Sequence, residues 1–473
     1  MKLVRMLSLS AIAFAGIVGT YIGYIVSSDG VAGLYLFLLV SATIGLVLLL
    51  YHRDAGELGP ILVVSYLLYA LGYPLHAVVQ GARLSEYSTY LGVCLVGLAG
   101  LAFGYVMVAR VLKPKMRLPI VHRSDLELGI WLTGLGAALS LMTFFAAFGG
   151  VSGFLKIGYG GERWRVVSEG EIIGPGMEWL GLFSVLSAVY GSRLQRALGV
   201  SIGCLWAITN LVVGSRGVVI NIALVFAILW YYSRPSRPRV SIVTLATGGV
   251  ISFVIAQYIA VAREYLPLGA LTAMSRGLAR VLETPTILLP WRWGEFVTPG
   301  GALQELLLSH GRWKYQFGGT YLNALLNTIP GLNRLVSYTP LSVWRMQVFY
   351  PSLWAQMRGF GFFAAAEGYA NLGIVGVFFH LAALGAFAGL LYSIAKGSKN
   401  PCAIVLYAVS FPLLPFAAMR IDAATWLWGY THAYLAPWIL IVMAATFRQA
   451  YTKSKHQYQP IELQVRRGRG GVV

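Results

Sequence analysis

From Val31 to Leu50 the chain reads VAGLYLFLLVSATIGLVLLL, an unbroken run without a charge. As a helix rising about 1.5 Å per residue it is about 30 Å long, the thickness of a bilayer's hydrocarbon core. Runs of the same kind begin near Leu7, Leu58, Thr89, Leu128, Trp179, Ala197, Val218, Val240, Ala370, Ala403 and Trp426. Together they predict about twelve spans, and so an all-α polytopic membrane protein. The run after Trp179 needs Gly176 or earlier residues to reach membrane thickness, and Gly214-Ser215-Arg216-Gly217 is a tight turn between two spans. Over the whole chain of 473 residues, 58% are hydrophobic and only 11% charged, with mean hydropathy +0.70. A soluble enzyme would carry about a quarter charged residues, and a disordered chain would lack this apolar content. Cys94, Cys204 and Cys402 fall inside spans, where they read as packing residues rather than disulfides or metal ligands.

Orientation follows from the basic residues, which resist translocation. With the amino terminus inside and Leu7–Val26 kept as an uncleaved first span, the inner loops and tail hold most of the 36 lysines and arginines but few of the 17 acids. The formal charge of +19 is therefore largely a topological signal, spread along one membrane face. Anionic lipid is its natural partner, and nucleic acid is not. Both termini fall in the cytoplasm.

The expected organisation is 1–262 with spans one to nine and an outer loop at 149–178, a large outer loop at 263–368, spans ten to twelve at 369–447, and a basic cytoplasmic tail at 448–473. The large loop carries Trp291, Trp293, Trp313, Trp344 and Trp354. Loops this long usually carry function. Within it, Pro267–Leu282 reads as an amphipathic helix lying on the membrane surface, with Arg276 and Arg280 stacked opposite a leucine stripe. A second short helix is expected over Gly301–His310. The cytoplasmic loops are short, without a Walker-type phosphate loop, and no His or Cys spacing suits a metal. No cofactor is expected, and any chemistry belongs on the outer side.

Candidate residues follow from charge placed where it is costly. In Gly160-Gly161-Glu162-Arg163-Trp164-Arg165, extended backbone puts Arg163 and Arg165 on one face, suited to a diphosphate or to anchoring at headgroup depth. Arg216, in its tight turn, must pair or snorkel. Arg276 and Arg280 suit phosphate, of lipid or of substrate. Glu367 shares a helix face with Asn371 and reads either as a general base or as a salt-bridge partner for Arg358. Arg420 and Asp422 form a further polar pair, with a local ion pair as the simpler reading. His76, His380 and His432 read as hydrogen-bonded between helices.

Three segments, Gly214-Ser215-Arg216-Gly217, Phe317-Gly318-Gly319-Thr320-Tyr321-Leu322-Asn323 followed by Ile329-Pro330, and Glu367-Gly368-Tyr369-Ala370-Asn371-Leu372-Gly373, resemble the Wzy-type O-antigen and oligosaccharide repeat-unit polymerases in sequence and order. The resemblance implies a C-type glycosyltransferase fold that joins undecaprenyl-diphosphate-linked glycans, as donor and acceptor, at the periplasmic face of the bacterial inner membrane. A Wzz-type chain-length regulator would be a partner. Some members carry Arg-x10-Gly patterns in two outer loops. Arg163 to Gly174 and Arg165 to Gly176 fit that spacing, whereas nothing from Arg263 through Arg358 does. On this reading Glu367 and Arg216 are catalytic, and Arg163, Arg165, Arg276, Arg280, Arg358, Tyr321, Tyr369, Asn371 and Arg420 bind substrate. An O-antigen ligase-like transferase would share these features and differ in acceptor, while a polysaccharide or lipid-linked glycan exporter would form no new glycosidic bond.

Overall fold

The long apolar runs become helices. The structure, a computed structural model, describes residues 30–451 except 52–53, 113, 115–117, 120, 122–124, 151, 154–175, 213–215, 235, 238–239, 290–291, 293, 310–312, 330–331, 333–338 and 357–358. The described residues contain no strand. Among the described residues, seven helices are long and apolar enough to cross a membrane. Four lie in the first part: α1 (Gly30–Leu50), α2 (Leu58–Val79), α3 (Leu84–Leu112) and α4 (Leu126–Ala147). Four more follow: α5 (Gly176–Tyr190), α6 (Arg193–Val212), α7 (Arg216–Tyr232) and α8 (Ile242–Ala262). Shorter helices occupy the expected outer loop: α9 (Ala270–Glu283), α10 (Gly294–Leu308), α11 (Gly319–Asn327), α12 (Leu341–Phe349) and α13 (Pro351–Ala355). The last three long helices are α14 (Ala364–Ala395), α15 (Pro401–Arg420) and α16 (Ala423–Tyr451). The chain is thus a helical, membrane-embedded protein. The expected span at Leu7 and the basic tail from 452 lie outside the described residues.

Helix α15 is the centre of the bundle, with 89% of its most apolar window buried, while α1 is peripheral at 17%. Leu34, Leu49, Leu135, Leu139 and Met142 are exposed. In lipid such positions are solvated as well as in a core, so packing between spans depends on shape and small residues instead. Helices α3 and α14 illustrate this. A Cβ on Gly100 or Gly104 would stand 2.4 or 1.9 Å from the Phe378 or Ala382 carbonyl oxygen, and one on Gly385 would stand 2.1 Å from that of Leu101. Only glycine on both surfaces lets these backbones touch.

At one end of the bundle, the turn 54–57 between α1 and α2 is held by tyrosines from four other helices. Asp54 Oδ2 accepts from the hydroxyls of Tyr232 and Tyr392, each at 3.1 Å. Glu57 accepts from Tyr105 at 3.2 Å and pairs with Arg110, and Tyr407 donates to the Gly56 carbonyl. Burial pushes the Glu57 carboxyl above the usual carboxylate range, with the Arg110 guanidinium opposing that shift. The polar groups of this end satisfy one another and fasten α1, α2, α3, α7, α14 and α15 together. The other end of α14 carries the candidate site.

Candidate functional site

Helix α14 begins with Ala364-Ala365-Ala366-Glu367, after an extended Phe363 (φ −65°, ψ 137°). It starts six residues before the expected Ala370, placing Glu367 inside the first turn. The helix is then broken: Leu372 leaves helical geometry, and Gly373 has φ +62°, a conformation that glycine adopts without a Cβ penalty. The halves fold close at Gly368 and Gly376, where a Cβ on Gly376 would stand 2.1 Å from the Gly368 carbonyl oxygen.

Residues 316–320 are sewn onto the first half. Gln316 N–H donates to the Ala370 carbonyl and Phe317 N–H to that of Asn371, both at 3.1 Å. The buried Asn371 side chain completes the seam. Its Oδ1 accepts from Gly318 N–H at 3.0 Å, while its Nδ2 donates to Thr320 Oγ1 at 2.7 Å and to the Glu367 carbonyl at 2.9 Å. Phe317 (φ +46°) and Gly318 (φ +86°) make the left-handed turn that starts α11. Two motifs some fifty residues apart in sequence therefore form one structural unit.

Glu367 is 1% exposed. Its Oε2 accepts from the Ala423 amide at 2.7 Å, one of the free donors at the start of α16, where the helix dipole favours negative charge. Its Oε1 is buried with no hydrogen-bond partner among the described residues. The neighbouring Asp422 is also fully buried, but it is occupied: Oδ1 caps α16 through Thr425 N–H at 3.1 Å, and Oδ2 accepts from Ser342 N–H at 3.1 Å. Tyr321 stacks on His380, with ring centroids 5.2 Å apart. The Tyr321 hydroxyl and His380 Nε2 likewise have no partner among the described residues. Burial and the Glu367 carboxylate both push the Tyr321 phenol well above its ordinary range, so it stays a donor. Buried polar atoms are almost always paired in proteins, which makes these groups candidates for contacting something that binds.

A hollow of about 390 Å³ lies at the helix break, lined by Tyr315, Phe317, Tyr369, Leu372, Gly373, Ile374 and Val375 but not by Glu367, Tyr321 or His380. Its rim is exposed, Phe317 at 78% and Val375 at 59%. Trp313 backs it, 4.9 Å from Tyr315 and 5.9 Å from Tyr369 between ring centroids. The wall is thus aromatic and apolar, one turn from Glu367. Trp291 and Trp293 lie outside the described residues.

Comparison with protein families, with curated proteins and with solved structures finds no match.

Tyr369 stands on the wall of the hollow with Tyr315 and Trp313, and Glu367, Asn371 and Tyr321 are brought together. The arginines are not. Arg163, Arg165 and Arg358 lie outside the described residues, and Arg216 is described only as the first residue of α7. Arg276 and Arg280 are exposed on α9. Arg420 does not pair with Asp422: it reaches Glu295 at 2.5 Å, because capping α16 already uses the aspartate. The His432 ring stays within its own helix, its Nδ1 meeting Trp428 O at 2.9 Å, while its main-chain carbonyl accepts from Trp179 Nε1 of α5 at 2.8 Å.

Sequence reading missed the buried pair Arg345 and Glu305. The guanidinium spans both carboxylate oxygens at 2.7 and 2.6 Å and also donates to the Thr298 and Gly361 carbonyls at 2.7 and 2.6 Å. The pair ties α10 and α12 to the segment leading into α14. Its faint signal is an arginine in an otherwise uncharged helix, LSVWRMQVF. With its donors committed to protein, Arg345 is a structural clasp rather than a substrate ligand.

Proposed function

We propose that this chain is a glycosyltransferase that polymerises undecaprenyl-diphosphate-linked oligosaccharide repeat units at the periplasmic face of a bacterial inner membrane. The architecture would be a C-type glycosyltransferase with twelve spans: the seven long helices, α5 to α8, and the run from Leu7. The observation that carries the reading is Glu367, buried and fixed by one oxygen, with its other oxygen unpartnered, in the helix whose break opens an aromatic hollow. Glu367 Oε1 takes the proton of an acceptor sugar hydroxyl as that oxygen bonds the donor's anomeric carbon. The bond from that carbon to the diphosphate breaks, and its electron pair leaves with the lipid diphosphate. Arg163, Arg165 and Arg216 stabilise the charge on the leaving group. The Ala423 amide keeps the carboxyl in place, Asn371 holds the Glu367 main-chain carbonyl, and Tyr315, Phe317 and Tyr369 provide faces on which a sugar ring can stack.

The test is the surface polysaccharide of cells whose only copy carries Glu367→Gln. The reading predicts a single repeat unit in place of the ladder. Complete loss of surface glycan would indicate transfer to another acceptor, as by a ligase, and a normal ladder would remove Glu367 from the chemistry.

A further inference from the structure

Helix α9 has three faces. Ala273 and Gly277 are buried, and a Cβ on Gly277 would stand 2.8 Å from Ala262 Cα at the end of α8. Tyr258 of α8 donates to the Met274 carbonyl at 2.8 Å, fixing the helix's rotation. With that face held, Leu271, Met274, Leu278 and Leu282 stand 85, 54, 51 and 70% exposed. Val250, Ile251 and Ile255 of α8 are likewise exposed, an apolar surface that lipid covers if α8 crosses the membrane. Arg276 and Arg280, also exposed, leave the helix roughly 160° from the leucine stripe at 100° per residue. Neither makes an ion pair among the described residues.

We propose that α9 is an interfacial helix, its leucine stripe seated among acyl chains of the leaflet in which α8 ends, and that Arg276 and Arg280 bind the phosphates of anionic lipid headgroups. A helix with an apolar face, a basic face and no protein covering the stripe among the described residues has the composition of a membrane-surface helix, whose stripe sinks about 5–10 Å below the headgroups. The packing against α8 sets which way the stripe faces, something periodicity alone leaves open. The arginines are thereby separated from the site at Glu367 and assigned to lipid. The inference does not depend on the reaction proposed above.

Spin labels on the full-length protein in lipid nanodiscs test the seating. In a Cys204→Ser background, a label at Leu278→Cys is expected to be relaxed by oxygen and shielded from a water-soluble nickel chelate, with the reverse at Arg276→Cys. A Leu278 label open to the chelate, or shielded from both reagents, would overturn the proposal; the second result would mean that protein covers the stripe. For the arginines, native mass spectrometry of the Arg276→Gln, Arg280→Gln double variant is expected to show phosphatidylglycerol retained roughly 30-fold less well than by the wild type, from two basic residues acting at a membrane surface. Retention of undecaprenyl diphosphate is expected to be unchanged. Unchanged phosphatidylglycerol retention, or loss of undecaprenyl diphosphate alone, would refute the headgroup assignment.

Discussion

Replacing Glu367 by Gln leaves the shape of the site intact and removes its capacity to take a proton. The amide carbonyl can still accept from Ala423 N–H, the bond that carboxyl Oε2 makes at 2.7 Å. The new NH2 group falls where the unpartnered Oε1 now lies, near the Thr320 hydroxyl. The Ala423 bond is kept, while the acceptor that the carboxylate offers the Thr320 hydroxyl is lost, so the change in stability should stay within about 1–3 kcal/mol. The rate should fall by about 10²- to 10⁴-fold, the usual contribution of a general base, or roughly 3–5 kcal/mol of barrier. The assay is single-turnover joining of a lipid-linked repeat unit by purified protein, with thermal unfolding as the control for folding. An unfolding midpoint like the wild type's with a rate within threefold of it would refute the reasoning. A large drop in the midpoint would mean that Glu367 acts first as the cap of α16.

Three other perturbations probe the scaffold. Asn371→Ala removes three hydrogen bonds and strands the Gly318 amide; a loss of about 2–4 kcal/mol is expected in denaturant unfolding, with activity falling in parallel. Glu305→Gln leaves the buried Arg345 without its counter-charge and should cost about 3–5 kcal/mol, whereas replacing both partners by apolar residues of similar volume should cost much less; a double-mutant cycle checks this. The Tyr350 phenol is pushed up to about 12 by burial and by Glu305. Its folded value lies above the unfolded one, so its contribution is full below about pH 10 and is lost as pH rises toward 12; Tyr350→Phe should flatten the alkaline limb of an unfolding-against-pH profile.

The seven long apolar helices were legible because lipid selects apolar runs and charge punctuates them. The run after Trp179 is helical over Gly176–Tyr190, and any earlier part of that span lies outside the described residues. The outer helices were legible from their period, with shifted ends: α9 starts at Ala270 because a 3-10 turn holds Arg263–Leu268, and α10 runs from Gly294 to Leu308 rather than over Gly301–His310. Glu367 and Asn371 were legible as a pair one turn apart. Their union with residues 316–320 was not, because it is made by backbone amides between distant segments and leaves no side-chain pattern. The break at Leu372 and Gly373 was hidden in an apolar run of 32 helical residues. Charge pairing misled where neighbours in sequence had other partners: Arg420 passes over Asp422 for Glu295, and Arg345 finds Glu305 forty residues away.

Purified protein in nanodiscs, supplied with one defined undecaprenyl-diphosphate-linked repeat unit and followed by mass spectrometry, tests the central claim most directly. The account predicts dimers and then trimers of the repeat, with one undecaprenyl diphosphate released for each bond formed. A repeat unit that keeps its mass, moves across the bilayer unjoined, or is passed to a different lipid would contradict it.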